Sequence, residues 1–316
     1  MKPSLSIIFF TVSSGAGLGL LALLGLADLM AHPLPSSALL QGIAIALSLV
    51  AAGLASSALH LAKPANAWRA FSRFRTSWLS REAVFAACLF PVAVAYGGLV
   101  WIGERGPVSA AVASIVVVLS WAVLVSTAMI YASLKPIRQW HSFWTPVNYM
   151  LLGHWSGSLV LLGLARVYGA QGPFAWLAGA LGVAALIAKI AQWRAIEAGA
   201  DEAPTLERAI GVREGVHPPG MTVARARLFD VGHSHGTFLT NEFGFALARR
   251  NALALRAVAL CAGFVAPAFW IASGASGSAI ASLAAIVCLS GLLSERWLFF
   301  AEAQHTVRLY HGAPRT

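Results

Sequence analysis

The sequence predicts an all-α fold, a polytopic membrane protein built as a bundle of eight transmembrane helices. Two observations carry that expectation. Of the 316 residues, 58% are hydrophobic and only 11% are charged, against roughly 25% charged in an ordinary soluble domain. The uncharged residues also fall in long continuous runs, not in the alternating segments of about ten residues that mark a membrane β-barrel. The whole chain, 1–316, therefore reads as one integral membrane domain.

A helix needs roughly 20 predominantly apolar residues to cross the ~30 Å hydrocarbon layer. Residues 5–27 contain no Asp, Glu, Lys or Arg, and the run is longer than the 7–15-residue apolar stretch of a cleaved signal. It is expected to stay as the first span. Residues 37–62, 83–102, 108–134 and 146–165 are equally free of charge, and 174–193 contains Lys189 alone. These predict spans two to six. Residues 257–294 are uncharged over 38 positions, which at ~1.5 Å per residue outruns one bilayer. The small polar stretch Ser273-Gly-Ala-Ser-Gly-Ser278 supplies the turn, giving spans near 253–271 and 279–300.

Eight spans put both termini and the 2–3, 4–5 and 6–7 loops on one side. That side holds 20 of the 22 Lys and Arg residues, and the other holds Arg105 and Arg166. The positive-inside rule then places both termini in the cytoplasm of a bacterial inner membrane. The net charge of +10 is explained by topology and needs no nucleic acid. The longest soluble stretch, 195–250, is a cytoplasmic loop rich in Pro and Gly, with too few apolar residues for a core; its expected role is to lie against a partner protein.

Cys88, Cys261 and Cys288 stand alone, with no CxxC or other cluster spacing, so no iron–sulfur cluster is expected in this chain; buried apolar cysteine is the expected environment. His154 lies inside a span, and beside Trp155 and Ser156 it reads as a hydrogen-bonded structural residue; paired with His60 it would be a bis-His haem site. His233-Ser-His235 lacks a third spaced ligand for zinc. Trp68, Trp78, Trp101, Trp140, Trp144, Trp193 and Trp297 fall near span ends, where an interfacial belt is expected. Gly15/Gly19 and Gly153/Gly157 have the GxxxG spacing of close helix packing, and Glu295, Arg296 and Glu302 are placed to pair along span eight.

The most informative stretch runs from His60 through Lys63, Trp68, Arg69, Phe71, Arg73, Arg75, Trp78 and Arg81 to Glu82. It puts a histidine where span two leaves the membrane and a carboxylate where span three enters, so both can face one pocket. This pattern resembles the membrane anchor subunit family of DMSO reductase, which includes the anchors of quinone-linked sulfite dehydrogenases. The opening Ile8-Phe-Phe-Thr11 with Gly15-Ala-Gly17-Leu-Gly19, the segment Trp140-His-Ser-Phe-Trp144-Thr-Pro146, and the eight-span count are similar to that family as well. Asn241–Arg250 and Glu295-Arg-Trp-Leu-Phe-Phe-Ala-Glu302 look more like the sulfite-oxidising branch.

The resemblance implies an anaerobic or respiratory electron-transport subunit. It would bind quinone, menaquinone or ubiquinone, and hold an iron–sulfur electron-transfer subunit that is joined to a molybdopterin catalytic subunit. No haem is expected in this chain. It also implies that His60 and Glu82 form the quinone site, with a hydrogen-bonding histidine and a proton-accepting carboxylate. Taken alone, the same two residues read equally well as caps of their helices. Lys63, Arg69, Arg73, Arg75 and Arg81 are candidates for docking the acidic face of a partner, or for touching lipid phosphates. The competing readings are a haem-b electron-transfer anchor and, from another class, a secondary transporter; the latter predicts inverted repeats, and none is visible.

Overall fold

The computed structural model describes residues 4–30, 34–58, 64–199, 205, 251–275 and 277–311. Among these, eight helices are long and apolar enough to cross a membrane: α1 Leu5–Leu29, α2 Ser36–Ala58, α3 Trp78–Trp101, α4 Pro107–Ala132, α5 Trp144–Val167, α6 Phe174–Ala198, α7 Ala252–Ser273 and α8 Ser278–Ala301. The fold is the all-helical one expected, and an isolated antiparallel bridge joins Ile137 to His305. Short 3-10 helices cover Pro64–Phe71 and Thr306–His311. His60, Lys63, His233, His235 and nearly all of the long loop lie outside the described residues.

α1 is the axis of the bundle, packed against α2, α4, α5 and α8. Its small residues explain why. A Cβ at Gly17 would stand 2.5 Å from Ala46 O of α2, and one at Gly19 would stand 2.0 Å from Gly153 O of α5. Backbones this close are open only to glycine, and in lipid such packing is a main source of helix association. Hydroxyls add polar links, with Ser13 Oγ donating to Leu49 O (2.7 Å) and Ser56 Oγ to Ser6 O (3.0 Å).

α7 is interrupted by a π-helical turn, Cys261–Val265. Pro267 accounts for it. Proline has no N–H to give the carbonyl four residues back, and its ring crowds that carbonyl. The carbonyl is Gly263 O, which instead accepts from Trp155 Nε1 (2.9 Å) and Cys288 Sγ (3.4 Å). The freed acceptor thus fastens α7 to α5 and α8.

The two arginines at the sparsely charged end are both engaged locally. Arg105 pairs with Asp28, which also accepts from Tyr96 Oη (2.8 Å), and Arg105 Nη2 donates to Leu34 O (3.0 Å). Arg166 donates to Ile271 O and Ala275 O, each at 2.9 Å, and lies over the Trp270 ring. It sits at the C-terminal end of α7, where a cation suits the helix dipole.

Two expectations need correction. Trp140 and Trp193 are buried, not belt residues. Trp140 Nε1 donates to Phe299 O (2.9 Å) and its ring stacks on Phe299, while Trp193 is covered by Lys189 and Arg256. Of the cysteines only Cys288 is buried, whereas Cys88 and Cys261 face outward. A bilayer-facing surface is itself apolar, so a thiol needs no burial in protein to escape water.

Candidate functional site

α3 begins at Trp78, five residues before the charge-free run, because local structure absorbs the intervening polar groups. Ser77 caps the helix, its Oγ accepting from Ser80 N (3.4 Å). Arg81 turns back onto the preceding loop, donating to Phe74 O (3.1 Å) and Arg75 O (2.8 Å) with its guanidinium over the Trp78 ring. Phe74 in turn packs edge-on against Phe85. The loop between α2 and α3 is thereby pinned over the start of α3.

Beneath that loop lies a cavity of ≈ 680 Å³ between α1, α2, α3 and the Pro64–Phe71 helix, within the ~300–1,000 Å³ range of small-molecule sites. Phe10, Leu54, Phe71, Ala83 and Phe90 give it apolar walls, and its polar lining includes Ser57, Asn66, Arg69, Arg73, Ser80 and Glu82. Glu82 is 4% exposed, so it stands a full turn inside α3, deeper than the helix-entrance position expected. No cation pairs with it among the described residues; its partner is Thr127 Oγ1 of α4, which also reaches Val123 O (3.0 Å). One hydroxyl proton cannot serve both. When it turns to Val123, the Thr127 oxygen is free to accept from a protonated Glu82, so the site holds this carboxyl in either state. Pro91 leaves Ala87 O, on the cavity wall, without its ordinary helical donor.

The other sequence candidates separate. Arg69, Arg73 and Arg75 are exposed on the loop, whereas Arg81 is committed to carbonyls. His154 lies elsewhere, its Nδ1 bonded to Met150 O (2.7 Å) and its Nε2 accepting from Trp121 Nε1 (2.9 Å). Both ring nitrogens are taken, which is the structural role weighed for it. Among the described residues no three His, Cys, Asp or Glu side chains come together as a metal site.

The family model for the DMSO reductase anchor subunit (DmsC) matches residues 1–301. The chain belongs to the DMSO reductase anchor subunit family. It is 32% identical to the C subunit of the sulfite dehydrogenase of Allochromatium vinosum, over 98% of this chain and 99% of that protein. It is 28% identical to the C subunit of the anaerobic dimethyl sulfoxide reductase of Escherichia coli K12, over 44% of this chain and 49% of that one. The transporter reading does not account for this membership.

In this anchor subunit Glu295 and Arg296 pair as the sequence reading expected, but that reading missed their partner across the bundle, Lys189. Lys189 of α6 pairs with Glu295 of α8 and donates to Gln192 Oε1 (2.8 Å); Arg296 Nε stands 3.4 Å from Glu295 Oε2. Lys189 is 2% and Glu295 1% exposed. Glu302 does not pair along α8 as expected. It meets Arg256 of α7 (3.2 Å), which also binds Glu197 (2.6 Å) at the end of α6. A single lysine within an otherwise uncharged run, and a Glu-Arg dipeptide closing another, were the available signals.

Proposed function

We propose that this chain is the membrane anchor and quinone-binding subunit of a molybdopterin oxidoreductase complex of the DMSO reductase or sulfite dehydrogenase type. It exchanges electrons between the quinone pool and a cytoplasmic iron–sulfur subunit, with both termini in the cytoplasm of the bacterial inner membrane. The observation that carries the reading is the large apolar cavity at the basic end with one buried carboxyl, Glu82, on its wall. Flat apolar rings with polar oxygens suit such a site, and a quinone there supplies two-electron, two-proton redox chemistry.

Glu82 holds or releases a proton at its carboxyl, and Thr127 stabilises whichever form is present. His60 is assigned the hydrogen bond to the ligand oxygen. Arg69 and Arg73 border the same cavity, and with Arg75 and Lys63 they offer positive charge to an acidic partner surface. Arg81 serves this face by fixing the loop that carries them.

The test is quinone titration of the purified complex by tryptophan quenching. A hydrogen bond to a charged group is worth ~1.5–3 kcal/mol, so Glu82→Gln and His60→Ala should each weaken binding by roughly tenfold or more. Unchanged affinity in both variants would refute the site.

A further inference from the structure

The large cavity changes character along its length. Its polar lining, from Ser57 at the end of α2 through Arg69 and Arg73 to Ser80 and Glu82 at the start of α3, gathers at the loop end. Beyond Glu82 the described lining on α3 is Ala83, Ala86, Ala87 and Phe90, spaced by three and four residues along one side of the helix. From Glu82 to Phe90 the helix rises ~12 Å at ~1.5 Å per residue. A quinone ring with its two oxygens takes up about one turn of that depth, ~5.4 Å. The remainder is an apolar trough that the ring does not fill.

The trough lies in a wedge between α2 and α3. At the sparsely charged end the two helices are held together. A Cβ at Gly97 of α3 would touch Leu40 (3.8 Å) and Ile43 (3.9 Å) of α2, and Arg105, just past α3, donates to Leu34 O (3.0 Å) and Ser36 Oγ (3.4 Å) at the start of α2. Elsewhere α2 packs mainly on α1 and α3 mainly on α4, and towards the basic end the cavity separates the pair. Ala86 is buried, whereas Ala87 and its neighbours Cys88 and Pro91 are exposed. The trough therefore reaches the lipid-facing surface at Ala87, and the closed end of the wedge bars any path farther along the seam. Alanine at three of its four α3 positions keeps it wide.

We propose that this trough is the exit for the isoprenoid tail of a quinone whose ring sits at Glu82, the tail passing Ala83 and Ala86 and entering the bilayer beside Ala87. The inference rests on the quinone reading of the cavity and adds the orientation of the ligand, ring oxygens towards the loop and tail towards the membrane interior. Apolar burial is not what the trough supplies, because lipid is as apolar as its walls. It supplies passage: a tailed ring seats against Glu82 only where its tail has a way out.

The test compares two quinones that share a naphthoquinone ring, one with a four-unit isoprenoid tail and one with a methyl group alone; a matched benzoquinone pair is run alongside. Affinities are measured by tryptophan quenching of the complex in wild type, Ala87→Phe, Cys88→Phe and Glu82→Gln, each first shown to purify intact. Referring every value to wild type with the same quinone cancels the partition of the tail into detergent. A phenyl ring at Ala87 overpacks the exit, so Ala87→Phe should weaken the tailed quinone roughly tenfold or more and leave the tail-less one within about twofold. Cys88→Phe puts the same ring on the adjacent exposed position, which does not line the cavity, and should leave both affinities at the wild-type level. Unchanged binding of the tailed quinone in Ala87→Phe overturns the exit, and is the result that a trough filled by lipid acyl chains gives. Equal loss of both quinones in Ala87→Phe also overturns it, since the ring would then lie at Ala87, and so does an equal selective loss in Cys88→Phe. Glu82→Gln separates the two ideas: if it weakens both quinones while Ala87→Phe changes neither, only the exit fails, and if neither variant affects either quinone, the quinone reading itself fails.

Discussion

Replacing Gly19 by alanine tests whether the α1–α5 crossing organises the bundle. The new Cβ would stand 2.0 Å from Gly153 O and 2.4 Å from Gly153 C, where ordinary contact begins at 3.4 Å. The helices must therefore open by 3.4 minus 2.0, or 1.4 Å. The obstacle is backbone, so no rotamer change relieves it. A gap of this size forfeits about half of each dispersion contact of ~0.15 kcal/mol, and loosening about 40 such contacts costs about 3 kcal/mol, at the upper end for overpacked cores. The folded-to-unfolded ratio should fall by roughly a hundredfold. Gly98→Ala on α3 is the control, since nothing lies within 4 Å of that position; it should cost no stability and can add up to ~1 kcal/mol through helix propensity. The assay is denaturant unfolding of the detergent-solubilised protein, followed by tryptophan fluorescence. Equal midpoints for the two variants would refute the reasoning.

Lys189→Met takes one of two cationic partners from the buried Glu295, so the same unfolding assay should show a loss of ~3–5 kcal/mol, most of which returns in the triple variant Lys189→Met/Glu295→Leu/Arg296→Met, where no buried charge of the group is left unpaired; a triple variant no better than the single would contradict the pairing. Thr127→Val strands the Glu82 carboxyl and should cost ~1–3 kcal/mol, while Thr127→Ser keeps the donor and stays close to wild type. His305 lies outside the spans, where burial lowers its pKa below the ordinary 6.5, and its Nδ1 accepts from Val307 N (3.0 Å). Its folded pKa lies below the unfolded one, so its contribution is complete above pH 6.5 and fades as pH falls towards the folded value. The protection factor of the Val307 amide, its exchange rate corrected for the intrinsic pH dependence, should fall on acidification through that range, and a protection factor that does not change with pH would exclude the linkage.

The spans were legible because each charge in hydrocarbon is costly, which makes charge-free runs a direct record of the bilayer. The start of α3 was hidden for the same reason. Arg81 and Glu82 end the apolar run, yet each finds a partner inside the protein, Arg81 in nearby carbonyls and Glu82 in Thr127. Glu82 itself was readable through its place in a family-like stretch, but its depth depends on α4, which that stretch does not contain. The Lys189–Glu295 pair joins α6 to α8, and tertiary packing alone decides which distant charges meet. Trp140 and Trp193 were misplaced because sequence position gives depth along a helix but not the face on which a ring lies.

The two ends of the bundle use arginine differently, and this difference localises the chemistry. At the sparsely charged end Arg105 and Arg166 are consumed by Asp28 and by backbone carbonyls, leaving no free cation among the described residues there to attract a partner or ligand. At the basic end Arg81 is consumed in the same way, but what it holds is a loop that presents Arg69, Arg73 and Arg75 outward and roofs the large cavity. One side of that loop is exposed and the other roofs the cavity; under the function proposed above, the first would meet an acidic partner surface and the second a quinone. Loosening the loop by Arg81→Leu should therefore weaken partner retention and quinone affinity together, whereas Arg75→Gln should weaken partner retention alone. Co-purification and quinone titration on the two variants separate these effects, and loss of both properties in Arg75→Gln would contradict this division of roles.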